Sequence, residues 1–289
     1  MKADKKPAND PANEPANEPA NGSDPAEIRI SILRQAYPGA EPYRQTFAYD
    51  GSPQSTVAAA LDNLNYRDEI VDIDGDPVPR IGWEGSCLQG MYGGCAMVIN
   101  GRPALACSTF IKDLGTEIKI EPLSKFPTVS DLVVDRTVIQ ANLLAADAYT
   151  ETGGTAKSGR TAKSGNDVTA EAIADVNPEP KTRADSKIAK ADEKEYDHRY
   201  AAAKCLKCGL CLEVCPNYVK GENFFGAAFA NDCYLIASGE KSFSKGKAGA
   251  AIKDAYDKHF AAGCSKSLSC MDVCPMDIPT LSSMAKMNR

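Results

Sequence analysis

Two early segments of the chain alternate apolar with polar residues, which is the pattern of a strand that buries one face. Ile28, Ile30 and Ile32 alternate in the first segment. Residues 43–49 alternate in the same way, starting at Tyr43. The pattern predicts two strands at the start of a folded domain.

A short helix is predicted next, because apolar residues recur there at helical spacing. Thr56 can cap the segment 57–65. The apolar face of this segment consists of Val57, Ala60, Leu61 and Leu64. A hairpin turning at Asn100–Gly101 and a strand around Ile118 follow. These elements predict an α+β domain over residues 27–130.

The remaining segments differ sharply in composition. Apolar spacing over residues 131–149 predicts a connecting helix within 131–150. Residues 1–26 repeat a Pro-Ala-Asn pattern with little to bury, and residues 151–195 contain a duplicated TAKSG, so we expect a disordered tail and a flexible insert. Over 196–289, cysteine motifs alternate with alanine-rich helical stretches, which predicts an all-α domain.

Composition narrows the classes of function. The 289 residues are 43% hydrophobic, which is ordinary for a soluble chain of about two domains. The formal net charge of -6 does not suggest a nucleic-acid partner. No apolar run of about 18 residues and no apolar signal-peptide core is present, so we expect a chain kept in the cytoplasm.

Eleven cysteines carry the candidate chemistry. All except Cys233 fall into three blocks, at residues 87–107, 205–215 and 264–274. Disulfides are rare in a reducing compartment, so clustered cysteines favour metal binding over disulfides or buried free thiols. Neither histidine lies near a block, and no catalytic triad, carboxylate pair or P-loop is present. We therefore expect no substrate site on this chain.

The spacing of cysteines in the two C-terminal blocks indicates two iron–sulfur motifs that share ligands. The first, C-x2-C-x2-C-x3-C-P, is typical of [4Fe–4S] binding, and its fourth cysteine ligates the other cluster in two-cluster ferredoxins. This crossing rule predicts a [4Fe–4S] cluster on Cys205, Cys208, Cys211 and Cys274. It leaves three thiolates, from Cys215, Cys264 and Cys270, for a second cluster.

Three thiolates favour a [3Fe–4S] cluster, because an unligated corner iron is easily lost. Ser267 occupies the place of the missing cysteine in the second block. An alternative is that Ser267 supplies an alkoxide and keeps a fourth iron, although serine is a poor substitute for a thiolate. Zinc is a further alternative, but the spacing with a trailing proline fits cubane clusters better than tetrahedral zinc.

The N-terminal block resembles the plant-type [2Fe–2S] pattern C-x4-C-x2-C with a distant fourth cysteine. Cys87, Cys95 and Cys107 match the first, third and distant fourth positions, and Tyr92 stands at the second. One interpretation is a [2Fe–2S] cluster with Tyr92 phenolate as a ligand. The other is that Tyr92 packs beside an incomplete, labile or absent cluster. Glycines around Tyr92 allow a tight loop that aims amide groups at the sulfur atoms.

Four segments resemble the iron–sulfur subunit of succinate dehydrogenase/fumarate reductase, at residues 83–110, 126–137, 204–218 and 264–279. The resemblance runs from about Ile28 to Ile278, outside the insert. It implies a plant-ferredoxin-like β-grasp domain followed by an α-helical ferredoxin domain. It also implies [2Fe–2S], [4Fe–4S] and [3Fe–4S] clusters, in agreement with the cysteine count.

The family resemblance also implies partners. A flavoprotein subunit with FAD would interconvert succinate and fumarate at the [2Fe–2S] end. A membrane anchor, or cytochrome b subunit, would bring quinone or menaquinone to the [3Fe–4S] end. This chain would then be peripheral, on the cytoplasmic face of the cell membrane.

Departures from the family pattern lie at Tyr92, in the long insert and at the quinone end. Family tryptophan and histidine positions are occupied here by Asn217, Tyr218, Val219 and Ser265. This favours the fumarate reductase branch with a low-potential quinol such as menaquinol. The alternatives are an electron-transfer subunit of a soluble related flavoenzyme complex, and a non-enzymatic cluster-binding scaffold.

Overall fold

The computed structural model describes residues 27–145, 193–238 and 247–289. The predicted tail at 1–26 and nearly all of the predicted insert at 151–195 lie outside the described residues. Within the described residues, no helix is both long and apolar enough to cross a bilayer.

The N-terminal domain is built on a mixed five-stranded sheet. Its strands are β1 (Ile28–Arg34), β2 (Tyr43–Tyr49), β3 (Ala96–Ile99), β4 (Arg102–Leu105) and β5 (Glu117–Glu121). Their order across the sheet is β2-β1-β5-β3-β4, with β1 and β5 parallel and the other pairs antiparallel. Short 3-10 turns cover Ala106–Ser108 and Ile111–Asp113.

The local predictions for this domain are confirmed. Ile30 and Ile32 are fully buried on β1, as the alternation requires. Helix α1 spans Val57–Asn65, and Thr56 Oγ1 accepts a hydrogen bond from the Ala59 amide at 3.2 Å. The predicted hairpin joins β3 to β4, with positive φ at both turn residues, Asn100 and Gly101.

The prediction of one helix over residues 131–149 is wrong for its first turns. Strand β7 (Val133–Val134) pairs with β6 (Thr128–Ser130), and helix α2 spans Thr137–Ala145. Asp131 has a φ of 46°, which is incompatible with a right-handed helix. Its carboxylate forms a buried ion pair with Arg34 Nε at 2.9 Å, so a contact distant in sequence outweighs the local helical spacing.

The described residues from 193 onwards form helices and no strands. These are α3 (Glu193–Ala203), α4 (Leu210–Glu213), α5 (Gly226–Ala237), α6 (Lys247–Tyr256), a π-helical turn (Asp257–Ala261), α7 (Ser269–Asp272) and α8 (Thr280–Met287). Helix α5 lies at the centre of a core that includes Phe229, Ile252 and Phe260. The all-α prediction is confirmed for this part of the chain.

The two domains share one hydrophobic core. Leu210, Leu212 and Tyr218 are buried in the same cluster as the side chains of the N-terminal sheet. Polar contacts reinforce the junction, because the Glu213 carboxylate accepts hydrogen bonds from the Ser124 and Lys125 amides, each at 3.0 Å. The cysteine blocks of both domains are therefore held on one packed unit.

Candidate cluster-binding sites

The first cysteine block lies on the loop between residue 82 and β3, with Cys107 on the 3-10 turn after β4. Cys95 Sγ and Cys107 Sγ are 3.4 Å apart. The Gly90 amide donates to Cys107 Sγ at 3.2 Å, and the Met91 amide donates to Cys87 Sγ at 3.4 Å. The structure thus brings the three predicted thiols together and surrounds them with amide donors.

The electrostatics of this loop differ from one thiol to the next. Amide groups of Gln89 and Met91 lower the pKa of Cys87, because they stabilise the thiolate. The pKa of Cys95 is raised to about 11, chiefly by burial; the Cys107 amide opposes this rise and the Cys107 thiol adds to it. A buried thiol of this kind becomes a thiolate at neutral pH only when a metal cation displaces its proton.

Tyr92 lies at the tip of the same loop and is 41% exposed. Its ring folds over Gly94, so closely that a β-carbon at position 94 would overlap the tyrosine hydroxyl. Its backbone amide helps to lower the pKa of Cys87. Among the described residues, no hydrogen bond joins the Tyr92 hydroxyl to a thiol.

Arg136 braces this loop from outside the cysteine motif. Its Nη1 donates to the carbonyl oxygens of Gly93 and Gly94 at 3.2 and 3.1 Å, and its Nη2 pairs with Glu84. The predictions from sequence did not include this role. No local signal could have revealed it, because the partners lie more than 40 positions away in the sequence.

A second group of thiols lines one cavity of the C-terminal domain. Its members are Cys205, Cys208, Cys211 and Cys274. The pKa of Cys208 is raised to about 11, chiefly by burial and also by the nearby Cys205 and Cys274. Burial also raises the pKa of Cys211, and the other three thiols and Cys270 add to the rise. The four residues predicted to share a cluster are therefore neighbours, although Cys274 comes from the other block.

The remaining three thiols line a separate cavity together with Ser267. These are Cys215, Cys264 and Cys270. Burial raises the pKa of Cys270 to about 11, with further contributions from Cys215 and Cys264. At the exposed edge of the cavity, Ser265 Oγ donates to Asn217 Oδ1 at 2.6 Å. Two of the positions that the family resemblance associates with quinone, Ser265 and Asn217, thus form a polar pair.

The backbone of the second block repeats that of the first. Lys207 and Lys266 have φ values of 53° and 58°, one residue before Cys208 and Ser267. Gly209 and Leu268, one residue after them, also have positive φ, and each precedes a one-turn helix, α4 or α7. Ser267 therefore stands in a loop already shaped for a cysteine.

The donor sets suit clusters better than a single ion. Within the described residues, no three histidine, cysteine or acidic side chains gather closely enough to hold one metal ion. The thiols are instead spread around cavities, and several thiolates can be buried side by side only with cations between them. Cys233 differs, because it is fully buried on α5 among apolar side chains and lines neither cavity.

Fold and sites together define a two-domain iron–sulfur protein. Residues 29–141 match the model of a 2Fe-2S iron-sulfur cluster binding domain, and residues 201–278 match that of a 4Fe-4S dicluster domain. The succinate dehydrogenase iron-sulfur subunit of Bacillus subtilis is 30% identical over 92% of this chain and 93% of its own length. The chain belongs to the succinate dehydrogenase/fumarate reductase iron–sulfur subunit family.

Further relatives agree with this membership. The fumarate reductase iron-sulfur subunit of Haemophilus influenzae is 25% identical over 84% of each chain. Among solved structures, a chain of the Mycobacterium smegmatis Sdh1 complex in the apo form shares the fold. It has a TM-score of 0.61 and 19% identity over 91% of this chain and 94% of that one.

Proposed function

We propose that this chain is the electron-transfer subunit of a fumarate reductase/succinate dehydrogenase complex. In this role it relays electrons between a FAD-containing subunit, which interconverts succinate and fumarate, and quinone or menaquinol at a membrane anchor. The observation that carries the proposal is the direct contact between two thiol sites. A β-carbon at Gly93, in the first loop, would come within 2.6 Å of the Cβ of Cys208, in the second.

We assign the ligands as the cysteine spacing predicts, and the grouping of thiols around the cavities supports this assignment. The [2Fe–2S] site comprises Cys87, Tyr92, Cys95 and Cys107. The [4Fe–4S] site comprises Cys205, Cys208, Cys211 and Cys274, and the [3Fe–4S] site comprises Cys215, Cys264 and Cys270. When bound, the clusters supply one-electron transfer between two-electron partners.

The chain itself fixes the positions of these sites. Arg136 holds the carbonyl groups of the first loop, and Glu213 ties the one-turn helix between Cys211 and Cys215 to the N-terminal domain. These contacts support a relay whose sites keep constant separations while electrons pass.

The two ends of the relay differ in surface chemistry. Leu88, Met91 and Tyr92 form an exposed apolar tip on the first loop, with exposed fractions of 46, 67 and 41%. We assign this tip to the contact with the flavoprotein. The polar pair of Ser265 and Asn217 is assigned to the quinone end. We propose that the chain is peripheral, on the cytoplasmic face of the membrane.

Purification of the full-length chain from its own host, followed by EPR, tests the relay. We expect FAD and an anchor subunit to co-purify, together with signals from three distinct iron–sulfur centres. Assays of succinate oxidation by quinone and of fumarate reduction by menaquinol then decide the physiological direction. A chain that purifies without flavin and without iron would overturn the proposal.

Tyr92 is tested separately, since its ligation concerns one site only. We expect Tyr92→Phe to change the EPR spectrum of the [2Fe–2S] centre, because the phenolate oxygen is lost while the ring remains. Tyr92→Cys restores a full set of thiolates and should give a spectrum typical of four cysteine ligands. An unchanged spectrum in Tyr92→Phe would show that Tyr92 is not a ligand.

A further inference from the structure

An ion pair lies against the candidate [4Fe–4S] site and is not part of the cysteine motif. Lys207, between Cys205 and Cys208, donates through Nζ to both carboxylate oxygens of Asp232. Asp232 belongs to α5 and is only 8% exposed, whereas the Lys207 side chain is 41% exposed. Burial of a carboxylate costs desolvation free energy, which a single cationic partner offsets only in part. The ion pair is therefore unlike an ordinary solvated pair on the surface.

The second block offers an internal comparison. Lys266 occupies the same place in its loop as Lys207 and has nearly the same φ, at 58° against 53°. Yet Lys266 is exposed and forms no ion pair with other described residues. The loop therefore adopts this shape without an ion pair. The charges of Lys207 and Asp232 are the feature that distinguishes the first loop from the second.

Both charges act on a cluster ligand. Burial raises the pKa of Cys205, the Lys207 charge lowers it, and the Asp232 charge raises it by a smaller amount. Lys207 also lines the cavity formed by the four thiols. The pair thus presents its positive end to the site, with the negative end set further back on α5.

Reduction of a cluster adds one negative charge, so a nearby cation favours the reduced form and a nearby anion opposes it. Burial of Asp232, which is 8% exposed, limits the screening of its charge, whereas water screens part of the charge of Lys207, whose side chain is 41% exposed. We propose that Lys207 and Asp232 set the reduction potential of the [4Fe–4S] cluster, with the lysine raising it and the carboxylate limiting the rise. This inference rests on the proposed function.

Two variants, one without the positive charge and one without the negative charge, test the proposal in the full-length chain, purified in its complex. The [4Fe–4S] midpoint potential is measured by EPR-monitored redox titration. At the wild-type midpoint potential, Lys207→Gln should shift the cluster at least threefold towards the oxidised form. Asp232→Asn should shift it at least threefold towards the reduced form, and the double variant should lie between the two.

A purely structural brace would behave differently, because loosening the loop from either side would shift the potential in one common direction. Lys207→Arg keeps the charge and should keep the potential. Lys253→Gln is the matched control, because it removes the same charge from the exposed pair that Lys253, on α6, forms with Asp257 in the following π-helical turn. It should leave the [4Fe–4S] potential unchanged.

Each outcome decides the question. Shifts of equal sign, or no shift, would overturn the inference, and so would loss of the [4Fe–4S] signal in both single variants. If only Lys207→Gln loses its cluster, the test depends on Asp232→Asn alone. A rise in the [4Fe–4S] midpoint potential of that variant would support the inference, and no rise would overturn it. A wild-type protein without a [4Fe–4S] signal would instead overturn the proposed function, which separates the two failures.

Discussion

Gly93 in the first cysteine loop lies directly against Cys208 in the C-terminal domain. A β-carbon at position 93 would stand 2.6 Å from Cys208 Cβ and 3.1 Å from Leu206 Cβ. Gly93 also has a φ of 80°, a conformation that other residues adopt only with strain. Glycine at this position therefore sets how closely the two proposed clusters approach.

Replacement of Gly93 by alanine should separate the loops. The left-handed conformation alone costs about 1–2 kcal/mol, and the overlap with Cys208 adds to this. We expect a lower unfolding temperature and a weaker magnetic interaction between the reduced [2Fe–2S] and [4Fe–4S] clusters in EPR. Gly101→Ala is the control, because Gly101 has a φ of 76° but no atom near its missing β-carbon. Equal effects in both variants would contradict a role for the contact.

Introduction of a cysteine at Ser267 should convert the three-thiolate site. The loop there repeats the backbone of the Cys208 loop, so the new thiol is expected to hold a fourth iron. EPR of the oxidised Ser267→Cys variant should lose the [3Fe–4S] signal, and iron content should rise. Ser282→Cys adds a thiol at an exposed position of α8 that does not line the cavity of this site, and it should keep the signal. If the [3Fe–4S] signal persisted in Ser267→Cys, position 267 would not be placed to bind a fourth iron.

Removal of the Asp131 carboxylate should destabilise the N-terminal domain strongly. Arg34 is 2% exposed and would be left as an unpaired buried charge, which costs about 3–5 kcal/mol. The Gly82 amide, which donates to Asp131 at 2.7 Å, would also lose its partner. Chemical unfolding of Asp131→Ala measures this loss. Glu117→Ala, which breaks an exposed pair with Arg29, should cost less than about 1 kcal/mol. If both variants lost similar amounts of stability, the Asp131–Arg34 pair would not be the strong contribution that we infer.

Cys233 should be dispensable for the clusters. It is fully buried on α5, and burial raises its pKa to about 12, so it stays a neutral thiol at physiological pH. We expect Cys233→Ala to keep the iron and sulfide content, with a loss of about 1 kcal/mol in stability for the small cavity. Cys274→Ala, by comparison, should lose the [4Fe–4S] signal. Loss of iron from Cys233→Ala would show that a ligand has been missed.

Short-range patterns predicted much of the fold correctly. Alternation at Ile30 and Ile32 and the cap at Thr56 depend on neighbours in sequence, and they hold in the structure. The helix predicted from residue 131 failed because Asp131 pairs with Arg34, almost a hundred positions earlier. Hydrophobic spacing contains no information about such a partner.

The same distinction applies to the candidate sites. Cysteine spacing and the crossing rule predicted which C-terminal thiols would lie together, and the thiols line the two cavities in these groups. The residues that support the loops were not predictable, because Arg136, Glu213 and Asp232 form tertiary contacts with segments distant in the sequence. Their side chains resemble ordinary surface charges when only the sequence is considered.

The proposed exchange of Cys215 and Cys274 between the two C-terminal blocks has a consequence for biosynthesis. Each proposed cluster takes ligands from both blocks, so neither can be completed on the ribosome before the second block has emerged. The clusters then act as cross-links between distant segments, which reduces the freedom of the unfolded chain. Iron supply during maturation would therefore determine whether the whole domain survives proteolysis, and both centres would be gained or lost together.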